Sequence, residues 1–189
     1  MNPKKSRGQI WIETVLYTLI GLVLIGLVLA FATPKINEAR DSVLIEQSIG
    51  AMQLFGEKID ETLEGGIGTR TVVSLTIKKG ELSVPVSAVK NDSLSLELSN
   101  LNKLYSESDQ EIQYGRVAVK SSEGPKYHTA SILLKISYPI YFCKSESDCS
   151  VSGQKLPAAA TPYKFIIEKT LVDPDAPQEG IAIKIREAS

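Results

Sequence analysis

Residues 7–34 read R-G-Q-I-W-I-E-T-V-L-Y-T-L-I-G-L-V-L-I-G-L-V-L-A-F-A-T-P. One carboxylate, Glu13, stands near the start, and no charged residue follows from Thr14 to Pro34. A bilayer-spanning helix needs about 20 apolar residues, and this run is long enough. The flanking charges are lopsided: Lys4, Lys5 and Arg7 precede it, with no acid among the first eight residues. Positive charge stays on the cytoplasmic side, so everything after Pro34 is expected outside. A secretory signal peptide has a shorter apolar core of roughly 7–15 residues followed by a small-residue cleavage site. Ala30 and Ala32 offer such a site, but the core is too long. An ordinary single-pass anchor fits the length and leaves Glu13 unexplained. A carboxylate costs on the order of 2.5–3.5 kcal/mol at the membrane centre and less near an end, where it rests among headgroups.

Lys4-Lys5, Gly8-Gln9, Glu13 and the uncharged helix together resemble the class III signal peptide of archaeal type IV pilin-like proteins. The resemblance covers about the first 35 residues. It implies that a basic leader, 1–8, is cut between Gly8 and Gln9. Gln9 then becomes the first mature residue and Glu13 the fifth. Trp11 departs from the family's frequent small residue at the third mature position. The family further implies assembly through Gln9 and Glu13 into a homo-oligomeric filament, or one with other pilin-like subunits. A prepilin peptidase, a membrane platform and an assembly ATPase are the implied partners. The chain would wait in the cytoplasmic membrane with its C-terminal domain outside, then join a filament on the cell surface. The alternative is a monomeric, membrane-anchored extracytoplasmic β-domain that binds a ligand or partner. The junction discriminates them, because an anchor needs neither Gly8-Gln9 nor a carboxylate at position 13.

Composition bounds the rest. The chain has 189 residues, 43% hydrophobic and 23% charged, enough for one folded domain beside the membrane segment. The net charge is −1, and loss of residues 1–8 removes three cations and no anion. The mature chain would then carry 18 basic against 22 acidic residues, a net −4 that argues against nucleic acid as a partner.

Residues 9–34 are read as the membrane or polymerisation helix, with a kink or break expected at Pro34. Residues 35–64 return to helical period. Ile45, Ile49, Met52, Gly56, Ile59 and Leu63 share one direction and form a core-facing stripe, with Met52 as core filler. Upstream the same direction holds Glu38, Asp41 and Ser42, so the head is expected to cover only the second half of this helix. Ile36, Val43 and Leu54 mark the opposite edge. They are either scattered surface residues or the face for a second neighbour, another subunit. Gly65-Gly66-Ile67-Gly68 ends the helix.

From residue 65 to 189 the period is two, and an antiparallel head of about six or seven strands is expected, an α+β fold. Val73, Leu75 and Ile77 alternate up to a turn at Lys78-Lys79-Gly80. Residues 81–89 form a second strand, with Pro85 marking an edge or a bulge. After a turn at Asn91-Asp92, Leu94, Leu96 and Leu98 alternate in the next. Residues 111–120 and 127–138 make one hairpin, and 163–171 and 179–187 another, with Ile181, Ile183 and Ile185 facing one way. Residues 142–162 are the least regular stretch, with an exposed loop from Pro157 to Pro162.

Little chemistry is in view. His128 stands inside a strand without placeable partners, which fits a structural histidine. No glycine-rich phosphate loop follows a strand. Asp173 and Asp175 lie in a Pro-rich turn that fits either solvent or calcium. Cys143 and Cys149 bracket five polar residues and are expected to pair as a disulfide, worth roughly 2 kcal/mol for so small a loop. Zinc would need two further ligands. Asn91-Asp92-Ser93 fits the glycosylation pattern, making Asn91 a candidate glycan site. No catalytic residue, metal or cofactor is expected, and the protein is not read as an enzyme.

Overall fold

The structure, a computed structural model, describes residues 7–84, 92–143, 154–171 and 180–188. One helix, α1 (Arg7–Glu64), leads into ten described strands. These are β1 (Arg70–Leu75), β2 (Glu81–Val84), β3 (Asp92–Leu101), β4 (Glu111–Tyr114) and β5 (Val117–Ser122). They continue with β6 (His128–Ile136), β7 (Ile140–Cys143), β8 (Gln154–Pro157), β9 (Tyr163–Leu171) and β10 (Ile181–Glu187). Two compact units result, Met1–Arg40 and Asp41–Ser189.

The kink or break expected at Pro34 is corrected as far as a break goes: α1 runs through Pro34 without interruption. Proline removes one intrahelical bond, and the uninterrupted turns on both sides supply the rest. Next to it the Thr33 hydroxyl donates to the Leu29 carbonyl at 2.7 Å, so this turn carries a side-chain bond of its own.

The second unit has the expected α+β layout, with its strands divided between two sheets. The first has the order β1-β9-β10-β7 and the second β4-β5-β6-β3-β2-β8. All pairs between these strands are antiparallel except β7 with β10, which run parallel in a register that joins Ile140 to Ile183 and Phe142 to Ile185. Alternation builds the inner faces. In the second sheet Leu156, Leu82, Leu96, Ile132 and Val119 stand opposite one another in one row across five strands, all buried. In the first sheet Val73, Phe165, Ile183 and Phe142 belong to the same core.

The helix joins these faces. Ile45, Ile49, Met52 and Ile59 are buried as the stripe predicts, and Leu63 packs at its border. Phe55, which points about 80° away from Ile45 on a helix, is buried too and meets the Phe165 ring edge-on at 5.7 Å. Beside it Gly56 faces the second sheet, where a methyl group would lie 3.0 Å from Leu134 Cδ1. Adjacent helix positions thus meet different sheets, so the buried arc is wider than a single sheet would need.

Two expectations about the strands are corrected. The single strand expected over 111–120 is two strands, β4 and β5, folded back at Gly115, whose φ of 62° suits glycine. The stretch 142–162, read as irregular, contains the end of β7 and the whole of β8. Each has four residues, too short to display a period. Asn91 and Pro85 lie outside the described residues, as does the connection between β9 and β10.

The helix ends at Glu64, before the expected glycine cap. Gly68 takes a φ of 87°. A residue from β9 completes the cap: Lys169 Nζ donates to the carbonyls of Leu63 at 2.6 Å and Gly65 at 2.7 Å. A cation at a helix C-terminus also meets the negative end of the dipole. Replacing Lys169 with Met should therefore lower stability by about 2 kcal/mol, the typical worth of hydrogen bonds to a charged group. Urea unfolding of the detergent-solubilised chain measures it. An unchanged midpoint would mean that water caps these carbonyls equally well.

Candidate functional site

No described residue of its own unit covers the apolar helix. From Trp11 to Phe31 the large hydrophobic side chains are between 44% and 75% exposed. They point in every direction around the axis. A surface helix of a soluble domain shows an apolar stripe, whereas one that is apolar all round is buried by protein or lipid. Among the described residues this is the one helix long and apolar enough to cross a membrane, by length and composition. Gly8 and Gln9 lie within α1. Glu13 is exposed and is the single charge in the described helix between Trp11 and Pro34. Positions 9 and 13 are four apart on a continuous helix and so fall on one face.

Asp41 corrects the expectation that the head covers only the later half of the helix. It is 7% exposed, and its Oδ2 accepts the Asn102 backbone N–H at 2.6 Å and the Asn102 side-chain amide at 2.8 Å. Lys79 Nζ stands 3.6 Å from Oδ1 and donates to the Asn100 carbonyl at 2.7 Å. The head's grip on the helix thus begins at a carboxylate one turn before Ile45. A polar residue in the apolar direction looks solvated in sequence, because the donors that satisfy it lie some 60 positions away. On the opposite edge Ile36, Val43 and Leu54 are all exposed.

Among the described residues, open clefts of the head include the following two. One, of about 270 Å³, runs between the helix and the β4–β5 turn and is lined by Gln53, Gly56, Glu57, Asp60, Arg116 and Leu134, among others. Asp60 pairs with Arg116 at its rim. The other, of about 540 Å³, is polar, with Lys78, Lys79, Lys155, Glu81 and Glu97 on its walls. Lys155 pairs there with Glu81 at 2.8 Å.

The remaining candidates are dispersed. His128 opens β6, half-buried, with Nδ1 buried and without a hydrogen-bond partner among the described residues. Among the described residues no three of His, Cys, Asp and Glu are grouped to hold a metal ion. Cys143, at the end of β7, is disulfide-bonded, and the chain's other cysteine, Cys149, lies outside the described residues. Asn91, Asp173 and Asp175 lie outside them as well. Tyr105 and Tyr114 bring their hydroxyls to 3.0 Å. That hydrogen bond, then burial, pushes the Tyr105 phenol up to about 12. It is neutral at physiological pH and serves structure.

Asp41→Ala should strand the Asn102 amide and the Lys79 ammonium and cost about 1–3 kcal/mol. Amide hydrogen exchange in residues 41–48 should quicken most, with Asp41→Asn intermediate because it keeps an acceptor. Exchange rates equal to those of the unsubstituted chain would show that the apolar stripe alone fixes the start of the docked helix.

Comparison with known proteins finds no matching family model, no matching curated protein and no matching solved structure.

Proposed function

We propose that this chain is a structural subunit of an extracellular, type IV pilus-like filament, assembled through its apolar N-terminal helix after removal of residues 1–8. One observation carries the reading. The helix from Trp11 to Phe31 is apolar on all sides and uncovered within its unit, with Glu13 as its single charge. Before assembly, lipid covers such a surface. In a filament, copies of the same helix cover it, and the heads face outward. Prepilin peptidase, a membrane platform and an assembly ATPase are the partners this reading requires. The role is structural, with the head free to meet the surroundings.

Physical chemistry says where the specificity of assembly must lie. Lipid tails are as apolar as leucine, so moving the helix from bilayer to filament core gains little hydrophobic free energy. Packing and polar contacts must then choose the register. Cleavage before Gln9 creates an α-amino group, with a reference pKa of about 7.7–8.0, mostly charged at neutral pH. Two unit charges 4 Å apart attract by about 4 kcal/mol at an effective dielectric of 20. Removing both from water costs several kcal/mol each. The pair therefore adds little net stability, while a subunit out of step leaves two charges unmatched in an apolar core.

Mass spectrometry of the protein from its native host should find a chain beginning Gln9-Ile10-Trp11. Glu13→Gln should be inserted and cleaved normally, yet its ratio of filament-bound to membrane-bound protein should fall about tenfold, 1.4 kcal/mol. Glu13→Asp should lie between. A chain that retains Met1, or a Glu13→Gln variant that assembles as well as the unsubstituted chain, would move the protein to the other reading: a monomeric anchored module.

A further inference from the structure

The two charges that end the apolar run limit where a bilayer can lie along α1. From Glu13 to Lys35 the continuous helix rises about 33 Å at 1.5 Å per residue. The hydrocarbon core of a bilayer is about 30 Å thick, so it fits between them with about 3 Å to spare. Sliding further one way drags in Glu13; sliding the other way drags in Lys35, which pairs with Glu38 at 3.0 Å. Headgroups add roughly 5–7 Å on each side of the core. Trp11 stands about 3 Å before Glu13, and so about 3–6 Å beyond the hydrocarbon edge, within the headgroup layer. It is the chain's one tryptophan, and it is 71% exposed. Helical side chains tilt toward the N-terminus, which carries its ring further toward the headgroups. Tyr17, the other ring with a polar tip on this segment, lies about 6 Å inside Glu13. The Gly8–Gln9 bond lies about 7 Å outside Glu13, at the border of headgroups and water.

We propose that Trp11 is an interfacial anchor: its indole sits among the lipid headgroups of the cytoplasmic leaflet and holds the Gly8–Gln9 bond at the membrane surface. The inference rests on the reading that α1 spans a membrane before assembly with its basic end in the cytoplasm. Tryptophan suits this layer because its ring is apolar while its N–H needs an acceptor, and both demands are met at the boundary. Within their few ångströms of play the two charges do not choose a depth. A ring that belongs in a layer roughly 5–7 Å deep narrows that play from the cytoplasmic side. Trp11 stands between the bond to be cut and the carboxylate at position 13, so its depth sets the depth of both.

A single tryptophan makes its own depth measurable in the full-length chain, reconstituted into phosphatidylcholine vesicles. Lipids brominated near the headgroup end of the acyl chain should quench Trp11 emission at least about threefold more than lipids brominated at the chain end. Leu24→Trp in a Trp11→Phe chain, at the midpoint between Glu13 and Lys35, should show the reverse order. The anchor is overturned if chain-end bromines quench Trp11 more, or if aqueous iodide reaches it as it reaches a soluble indole while neither lipid does. Absence of lipid quenching at position 24 would instead refute the membrane reading itself, because α1 would then not enter the bilayer. In the native host, Trp11→Leu should raise the fraction of chains that retain residues 1–8 about fivefold, and Trp11→Tyr, which also favours the interface, less than about twofold. Cleavage of Trp11→Leu at the unsubstituted level overturns the anchoring role. So does a Trp11→Tyr chain cut as poorly as Trp11→Leu, which would place the indole in a protein pocket.

Discussion

Burial of one helical arc against two sheets holds the head together. Ile45, Ile49, Met52, Phe55 and Ile59 are all removed from solvent. At about 1.5–3 kcal/mol for each large apolar side chain, and as an upper bound, they contribute on the order of 10 kcal/mol. That equals the whole net stability of a typical domain. Neither sheet has another helix, among the described residues, to cover its inner face. The helix is therefore a structural member of the head and not merely its stalk. Its polar ends are fixed as firmly as its apolar middle, by Asp41 at the start and Lys169 at the finish.

The same helix meets two different demands. Up to Arg40 it belongs to a unit whose apolar surface nothing in that unit covers; from Asp41 it belongs to a packed domain. Charge reports the change. Glu13 is the one charged residue in the described helix between Trp11 and Pro34, whereas charged residues recur from Lys35 onward. Most of them are satisfied locally, by i,i+3 pairs such as Lys35–Glu38 or by head residues such as Arg116 and Lys79. Exposed pairs of this kind contribute little energy, with a median of about 0–1 kcal/mol. Arg40, Glu46, Glu57 and Glu64 form no ion pair among the described residues.

Long periodic elements were legible. The alternation at Leu94, Leu96 and Leu98 and the stripe from Ile45 to Ile59 each extend over enough residues to declare their period, and both are buried. Phe55 was missed because a stripe drawn for one sheet is too narrow for a helix held between two. The β4–β5 turn was missed because Gly115-Arg116 lacks the Asn-Gly or Asp-Gly pair that marks tight hairpins. Strands β7 and β8 each span only two alternations, too few to declare a period. The candidate site divides in the same way. Gly8, Gln9 and Glu13 are local in sequence and could be named from it, while Asp41 and Lys169 act through partners far along the chain.

The sequence by itself determined where the chain becomes apolar enough to cross a membrane, where its period changes from helix to strand, and which side of the later helix is greasy. Those properties follow from the order of side chains within a turn or a pleat, and short-range geometry suffices to read them. Only the tertiary structure decided that two sheets share the helix, that β7 runs parallel to β10, and that a carboxylate and an ammonium group serve as clasps. Each of those outcomes depends on which distant groups are close enough to satisfy a buried polar atom or fill a gap beside a ring. Pattern within one segment carries no information about that distance.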